Sequence, residues 1–347
     1  MLGPLLVDVE GTQLTAADRE LLKHPLVGGV ILFARNTPDA ETVAALAGEI
    51  HALREPQLLI AIDQEGGRVQ RLRDGVTRLP PMALLGELWD DDRDAARALA
   101  RDTGWLMAAE LLALGVDLSF APVVDLGGRS CVIGDRAFHR RPDAVGELAL
   151  AFRRGMNEAG MRAVAKHFPG HGGVPGDTHV ERPVDRRRYA DLAQADMKPF
   201  ERLIDNGVSA IMMSHVVYSE VSAEPASLSR RWIHEILRTD LHFEGAIVAD
   251  DLSMDAAGML STALARVRAA LDAGCDLAPV CNHREAVESV LDGADSLFPA
   301  PASALRSARL LPEQRPDRNA LGSDPRLRAT RESLSRLMEQ GPFKLEG

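Results

Sequence analysis

Along the chain, short apolar segments alternate with longer amphipathic ones. Eight of the short segments read as strands: residues 3–9, 27–33, 58–63, 116–123, 162–168, 209–216, 245–252 and 275–280. Most lack strict polar alternation, as expected of parallel strands covered on both faces. The stretches 38–53, 98–114, 144–160, 189–207, 228–240 and 262–274 carry helical periodicity. Eight strands with crossover-length connections close a (β/α)8 TIM-type barrel. The expectation is therefore a single α/β domain, a catalytic barrel over residues 1–300, with an open doubly wound sheet as the alternative. The stretch from about Leu311, rich in Pro, Arg and Asp, reads as part of a peripheral, partly helical C-terminal extension over 301–347.

Polar residues gather at the ends of the apolar runs. Asp63 ends the third, Lys166 and His167 the fifth, Ser214 and His215 the sixth, and Asp250 and Asp251 the seventh. In a barrel these would be the C-terminal strand ends, where catalytic groups from separate strands converge.

Composition narrows the function. A formal net charge of -11 disfavours nonspecific binding to nucleic acid or anionic membranes. With 4% aromatic residues there is little material for stacking platforms. The N-terminus MLGPLLVDVEG lacks a basic leader region, and no apolar run is long enough to span a bilayer. Cys131, Cys275 and Cys281 form no CxxC and read as reduced thiols. A cytoplasmic monomer without membrane anchor or nucleic-acid partner is expected.

The segment KHFPGHGGVPGDTH, 166–179, concentrates ionisable groups on a glycine-rich backbone. His167 and His171 are four apart, but Pro169 and Gly170 between them oppose a helix, and there is no HExxH. A loop-built metal site from His167, His171, His179, Asp177 and Asp250 is an open but minor reading; His171 reads better as a loop-closing hydrogen-bond group. Asp177 beside His179 can hold an imidazole tautomer and raise its basicity, although DxH alone is common. Asp250 and Asp251 end a strand, where one carboxylate can serve as nucleophile while the other caps the next turn. DQEGGRVQRL, 63–72, offers Asp63 to vicinal hydroxyls and Arg68 or Arg71 to a polar substituent. GDRAFH, 134–139, offers Arg136, and a lysine at a strand end, Lys166, calls for a partner or a wet pocket. No GxxxxGK[ST] phosphate loop and no GxSxG elbow is present.

Taken together, DQEGGRVQRL, IGDRAFH, KHFPGHG, GDTH and GAIVADDLSMDA resemble the family 3 glycoside hydrolases, most closely the single-domain bacterial β-N-acetylhexosaminidases of peptidoglycan recycling. The resemblance runs from LLVDVEG to DAGCDLAPVCN. It implies a (β/α)8 barrel without cofactor or metal. The activity implied is retaining exo-cleavage of terminal β-linked N-acetylglucosamine from GlcNAc-anhydro-MurNAc peptides, which would tie the protein to cell-wall biogenesis, cell shape and division. It puts the nucleophile on Asp250 and the acid/base on His179, with Asp177 as its partner. Asp63, Arg71, Arg136, Lys166 and His167 fall on the family's sugar-binding positions. Two departures are Ala249, where the family commonly has serine or threonine, and a tail after residue 300 without a clear counterpart. The alternatives to hydrolysis are phosphorolysis and a non-catalytic sugar-binding protein on the same fold.

Overall fold

The computed structural model describes residues 1–175, 183–253, 262–293 and 297–340. Each of the eight predicted segments contains a strand: β1 (Leu5–Val7), β2 (Val27–Leu32), β3 (Leu59–Ile62), β4 (Leu118–Ser119), β5 (Val164–Phe168), β6 (Ala210–Met213), β7 (Ala246–Val248) and β8 (Ala278–Pro279). All pairings among them are parallel. Side chains alternate between two apolar layers. Leu6, Ile31, Leu59, Leu118, Val164, Met212 and Val248 form an inner cluster. Leu5, Val30, Ile60, Ala165, Ile211 and Ile247 join the outer core beneath the helices. Burial on both faces is why the strands show no polar alternation.

The expected closed eight-stranded barrel is corrected here. The strands form two curled parallel sheets, β8-β1-β2-β3-β4 and β7-β6-β5. Among the described residues no continuous ladder joins the sheets; they are linked by isolated bridges, Ser119–Ala163 and Val123–Lys166 on one side and Val248–Leu277 on the other, with a few backbone hydrogen bonds across each seam. The chemistry of the seams explains the interruption. β4 and β8 are two residues long, and Pro122 and Pro279 have no N–H to donate to a continuing ladder.

Helices flank the sheets. The predicted 98–114 helix begins earlier, at Arg93, because Asp92 caps it by accepting from Asp94 N and Ala95 N. The predicted 189–207 helix is two helices, Tyr189–Gln194 and Lys198–Asp205. Pro199 lies near the start of the second, and its ring is incompatible with the carbonyl a turn earlier in a continuous helix. No helix among the described residues is long and apolar enough to cross a membrane.

The extension carries three helices, Pro301–Ala308, Arg318–Gly322 and Pro325–Gln340. Between the first two, Leu310 enters the inner cluster shared by both sheets. Arg306 binds the buried Asp276 at 2.6 Å and Arg315 the buried Asp117 at 2.6 Å. Asp276 accepts from Ile247 N and Asp117 from Ile60 N, so each ties a strand entrance to the extension.

Candidate active site at the strand ends

β3 runs directly into a hairpin, Gln64–Gly66 against Val69–Gln70. Gly66 and Gly67 adopt φ of 113° and 54° at its turn, a backbone that side-chain-bearing residues rarely accept. Asp63 and Glu65 lie two apart on this extended stretch and so share a face. Opposite them, the register of β5 on β6 shifts between Ala165 and Phe168. Irregularities of this kind re-aim side chains, and here both Lys166 and His167 line a cavity of about 530 Å³.

Lys166 Nζ lies 2.8 Å from Asp63 Oδ1 and 2.5 Å from Glu65 Oε1. Arg136 grips the same Glu65 through two bonds, Nε to Oε2 at 2.7 Å and Nη2 to Oε1 at 2.8 Å. Arg71 Nη2 approaches Asp63 Oδ2 at 3.5 Å. Burial opposes ionisation of Glu65, but Lys166 and Arg136 overcome it and hold its pKa at about 2. Burial likewise works against the Asp63 carboxylate, and Lys166 brings the net shift below the usual range. Burial disfavours the Lys166 ammonium too, yet Asp63 and Glu65 raise its pKa overall. The result is an ionised, hydrogen-bonded array on one wall, with Lys166 and Glu65 buried and Asp63 half-buried.

His167 sits above a second buried carboxylate. Its Nδ1 is 2.7 Å from Asp125 Oδ2, and its backbone N–H donates to the same carboxylate. His171 N donates to Asp125 Oδ1 at 2.7 Å. Gly172 is required next: a β-carbon there would lie 1.8 Å from the Leu126 carbonyl oxygen. His171 also lines the cavity, and its buried Nε2 has no hydrogen-bond partner among the described residues. Burial lowers the His171 pKa and favours the neutral ring.

On the opposite side, β7 delivers Asp250 and Asp251, both lining the cavity. Asp251 N donates to Asp250 Oδ1 at 2.9 Å. Asp251 Oδ1 accepts from Ser253 N, Ser253 Oγ and Cys281 N. Even so, burial pushes the Asp251 pKa up to about 6. His215 Nε2 donates to the Asp251 carbonyl at 2.9 Å, leaving Nδ1 to accept from Ser227 Oγ. Ala249 packs into the outer core, so a hydroxyl there would face the helices instead of the cavity.

Of the residues singled out in the sequence, Asp63, Arg71, Arg136, Lys166, His167 and Asp250 all line this one cavity. Asp177 and His179 lie outside the described residues. No grouping of three or more His, Cys, Asp or Glu suited to a metal occurs among the described residues. Arg68 sits at the rim, 3.1 Å from Asp135. Glu65 and Asp125 were missed by the sequence reading, and His215 was noted at a strand end without a role. The spacing of Asp63 and Glu65 was a usable signal; the role of Asp125 depends on a contact 42 residues away.

Carboxylates held ionised by cations, beside a further strand-end carboxylate, suit a neutral ligand rich in hydroxyl groups. Residues 5–305 match the glycosyl hydrolase family 3 N-terminal domain. The chain belongs to this family. It is 56% identical over 310 residues to a beta-hexosaminidase of Thiobacillus denitrificans, covering 89% of this chain and 86% of that protein. It also resembles the crystal structure of NagZ from Neisseria gonorrhoeae in complex with N-trifluoroacetyl-D-glucosamine, with a TM-score of 0.91, 40% identity and coverage of 97% and 98% of the two chains. A family 3 beta-N-acetylglucosaminidase from Paenibacillus sp. superposes with a TM-score of 0.78 at 30% identity, covering 99% of this chain and 63% of that one.

Proposed function

We propose that the protein is a retaining exo-β-N-acetylglucosaminidase that releases terminal GlcNAc from peptidoglycan fragments. The observation that carries the reading is the convergence of the Asp63–Lys166–Glu65–Arg136 array and Asp250 on one cavity. Family membership and the relatives' hexosaminidase names support the reaction class.

In the mechanism, Asp63 accepts hydrogen bonds from ring hydroxyls, with Arg71, Arg136, Lys166 and His167 completing the grip on the sugar. Asp250 attacks the anomeric carbon as the glycosidic bond breaks, and a covalent glycosyl-enzyme forms. Protonated His179 gives its proton to the leaving oxygen; neutral His179, oriented by Asp177, then takes a proton from water, which displaces Asp250. Retaining glycosidases commonly use two carboxyl groups ~5–5.5 Å apart. An imidazole with an unperturbed pKa of about 6.5 performs the second role without the burial a carboxylic acid needs. Residues 1–300 form the catalytic unit and 301–347 the appended extension. The protein works as a cytoplasmic monomer.

The test is turnover of an aryl β-N-acetylglucosaminide. Asp250→Ala is expected to lower kcat by on the order of 10³-fold or more, and retention of wild-type turnover would eliminate it as nucleophile. His179→Ala is expected to slow poor leaving groups far more than activated ones. Equal slowing of both would remove its role as acid.

A further inference from the structure

The loops leaving β4 and β5 also enclose a second basin of about 750 Å³ on the same face of the molecule. His171 lines the first cavity and the next two residues, Gly172 and Gly173, line the basin, so this loop is a common wall. Four arginines border the basin, Arg129, Arg140, Arg186 and Arg187, against two carboxylates, Asp185 and Asp196.

Arg187 takes up both carboxylates. It lies 2.7 Å from Asp185 Oδ2 and 2.7 Å from Asp196 Oδ2. Arg129, Arg140 and Arg186 are exposed and have no carboxylate partner among the described residues, whereas most described arginines are bonded to an acidic side chain or a carbonyl. Three guanidinium groups unpaired among the described residues therefore face one basin in a chain of net charge -11, and the lining described there carries a local positive excess. Val184, 45% exposed, adds an apolar patch to the same surface. A sugar has no use for this combination. Guanidinium groups select carboxylates, which they bind in paired hydrogen bonds, and the apolar patch suits aliphatic side chains.

We propose that this basin binds an acidic peptide carried on the leaving-group side of the substrate, with Arg129, Arg140 and Arg186 receiving its carboxylates. The proposal rests on the assignment of peptidoglycan fragments as substrate and adds the part of the fragment that the sugar-binding cavity does not contact. The leaving group departs when the glycosyl-enzyme forms, so contacts here act on kcat/KM and not on hydrolysis of that intermediate.

The experiment compares the wild-type chain with the triple variant Arg129→Ala/Arg140→Ala/Arg186→Ala. The substrates are GlcNAc-anhydro-MurNAc with a stem tripeptide, the same disaccharide without peptide, and an aryl β-N-acetylglucosaminide. For the peptide-bearing substrate, kcat/KM is expected to fall about tenfold or more, as for the loss of charge-assisted hydrogen bonds. The other two substrates should be turned over unchanged, which also shows that the variant folds. Titration of the free tripeptide measures the basin without turnover: wild type should bind it and the variant should not. An unchanged kcat/KM on the peptide-bearing substrate, an equal fall on all three, or displacement of the tripeptide by inorganic phosphate at equal concentration would overturn the proposal. Failure of the wild type on the aryl glycoside would instead sink the glycosidase assignment, with the tripeptide titration still deciding the basin.

Discussion

Two carboxylate pairs face each other across the cavity, and their chemistry diverges. Asp63 and Glu65 come from the end of β3, the first half-buried and the second buried, and remain ionised because Lys166 and Arg136 lie against them. Asp250 and Asp251 come from the end of β7; there burial drives Asp251 up to about 6, although three donors surround one of its oxygens. Hydrogen bonds to an acceptor do not replace a counter-charge once water is excluded. The first pair is a fixed, charge-neutralised gripping surface. The second places a carboxylate that resists ionisation directly beside the proposed nucleophile.

The largest way to break this contrast is to remove the cation from the first pair. Lys166→Met leaves Asp63 and Glu65 without their shared ammonium, and a loss of about 3–5 kcal/mol is expected in denaturant unfolding. The loss should shrink on acidification. Glu65 has a depressed folded pKa, so its ionised pairing stabilises the fold above its unfolded pKa near 4.5 and stops contributing as pH falls toward 2. A variant as stable as wild type at pH 7 would contradict the assignment of Lys166 as the essential partner.

Asp251 sharpens the contrast with the opposite sign. Its folded pKa is raised, so the folded state binds a proton more tightly than the unfolded chain and loses stability as pH rises from about 3.8 to about 6. Asp251→Asn keeps an acceptor oxygen for Ser253 and Cys281 and removes the charge. It is expected to be more stable than wild type by on the order of 1–2 kcal/mol at pH 8 and about equal at pH 4; thermal unfolding at the two pH values reads the difference. A smaller effect is expected one residue earlier. Ala249→Ser adds a hydroxyl to the outer core, and kcat/KM on the aryl glycoside should change less than about twofold while stability falls by about 1 kcal/mol. A larger kinetic change would mean that this position does communicate with the cavity.

The strands were legible because burial on both faces leaves a strong, local signature: eight apolar runs, each bounded by polar residues. Their closure was not. Whether β4 continues its ladder into β5 depends on the backbone donors at a two-residue seam, and the count of apolar runs carries no record of that. Pro199 was visible in the chain and would have split the long helix had its effect on the preceding turn been weighed. At the site, strand-end position picked out residues that share the cavity, because the fold presents all strand ends on one side. Asp125 left no comparable trace: its importance arises from two histidines reaching it across 42 and 46 residues. Arg306, Leu310 and Arg315 were equally opaque, because a single long-range contact has no period.

The seat of Leu310 also bears on how the molecule is made. During synthesis, β8 is complete well before residue 310 leaves the ribosome, yet the inner layer still lacks one of its apolar members and Asp117 and Asp276 still lack Arg315 and Arg306. A nascent chain at that stage holds most of its sheet, with Asp276 bonded to Arg238 and Asp117 to His51 but neither yet joined to its arginine from the extension. Its final compaction therefore waits on residues 306–315, a segment beyond the last strand, in a way that a domain finished by its own strands would escape.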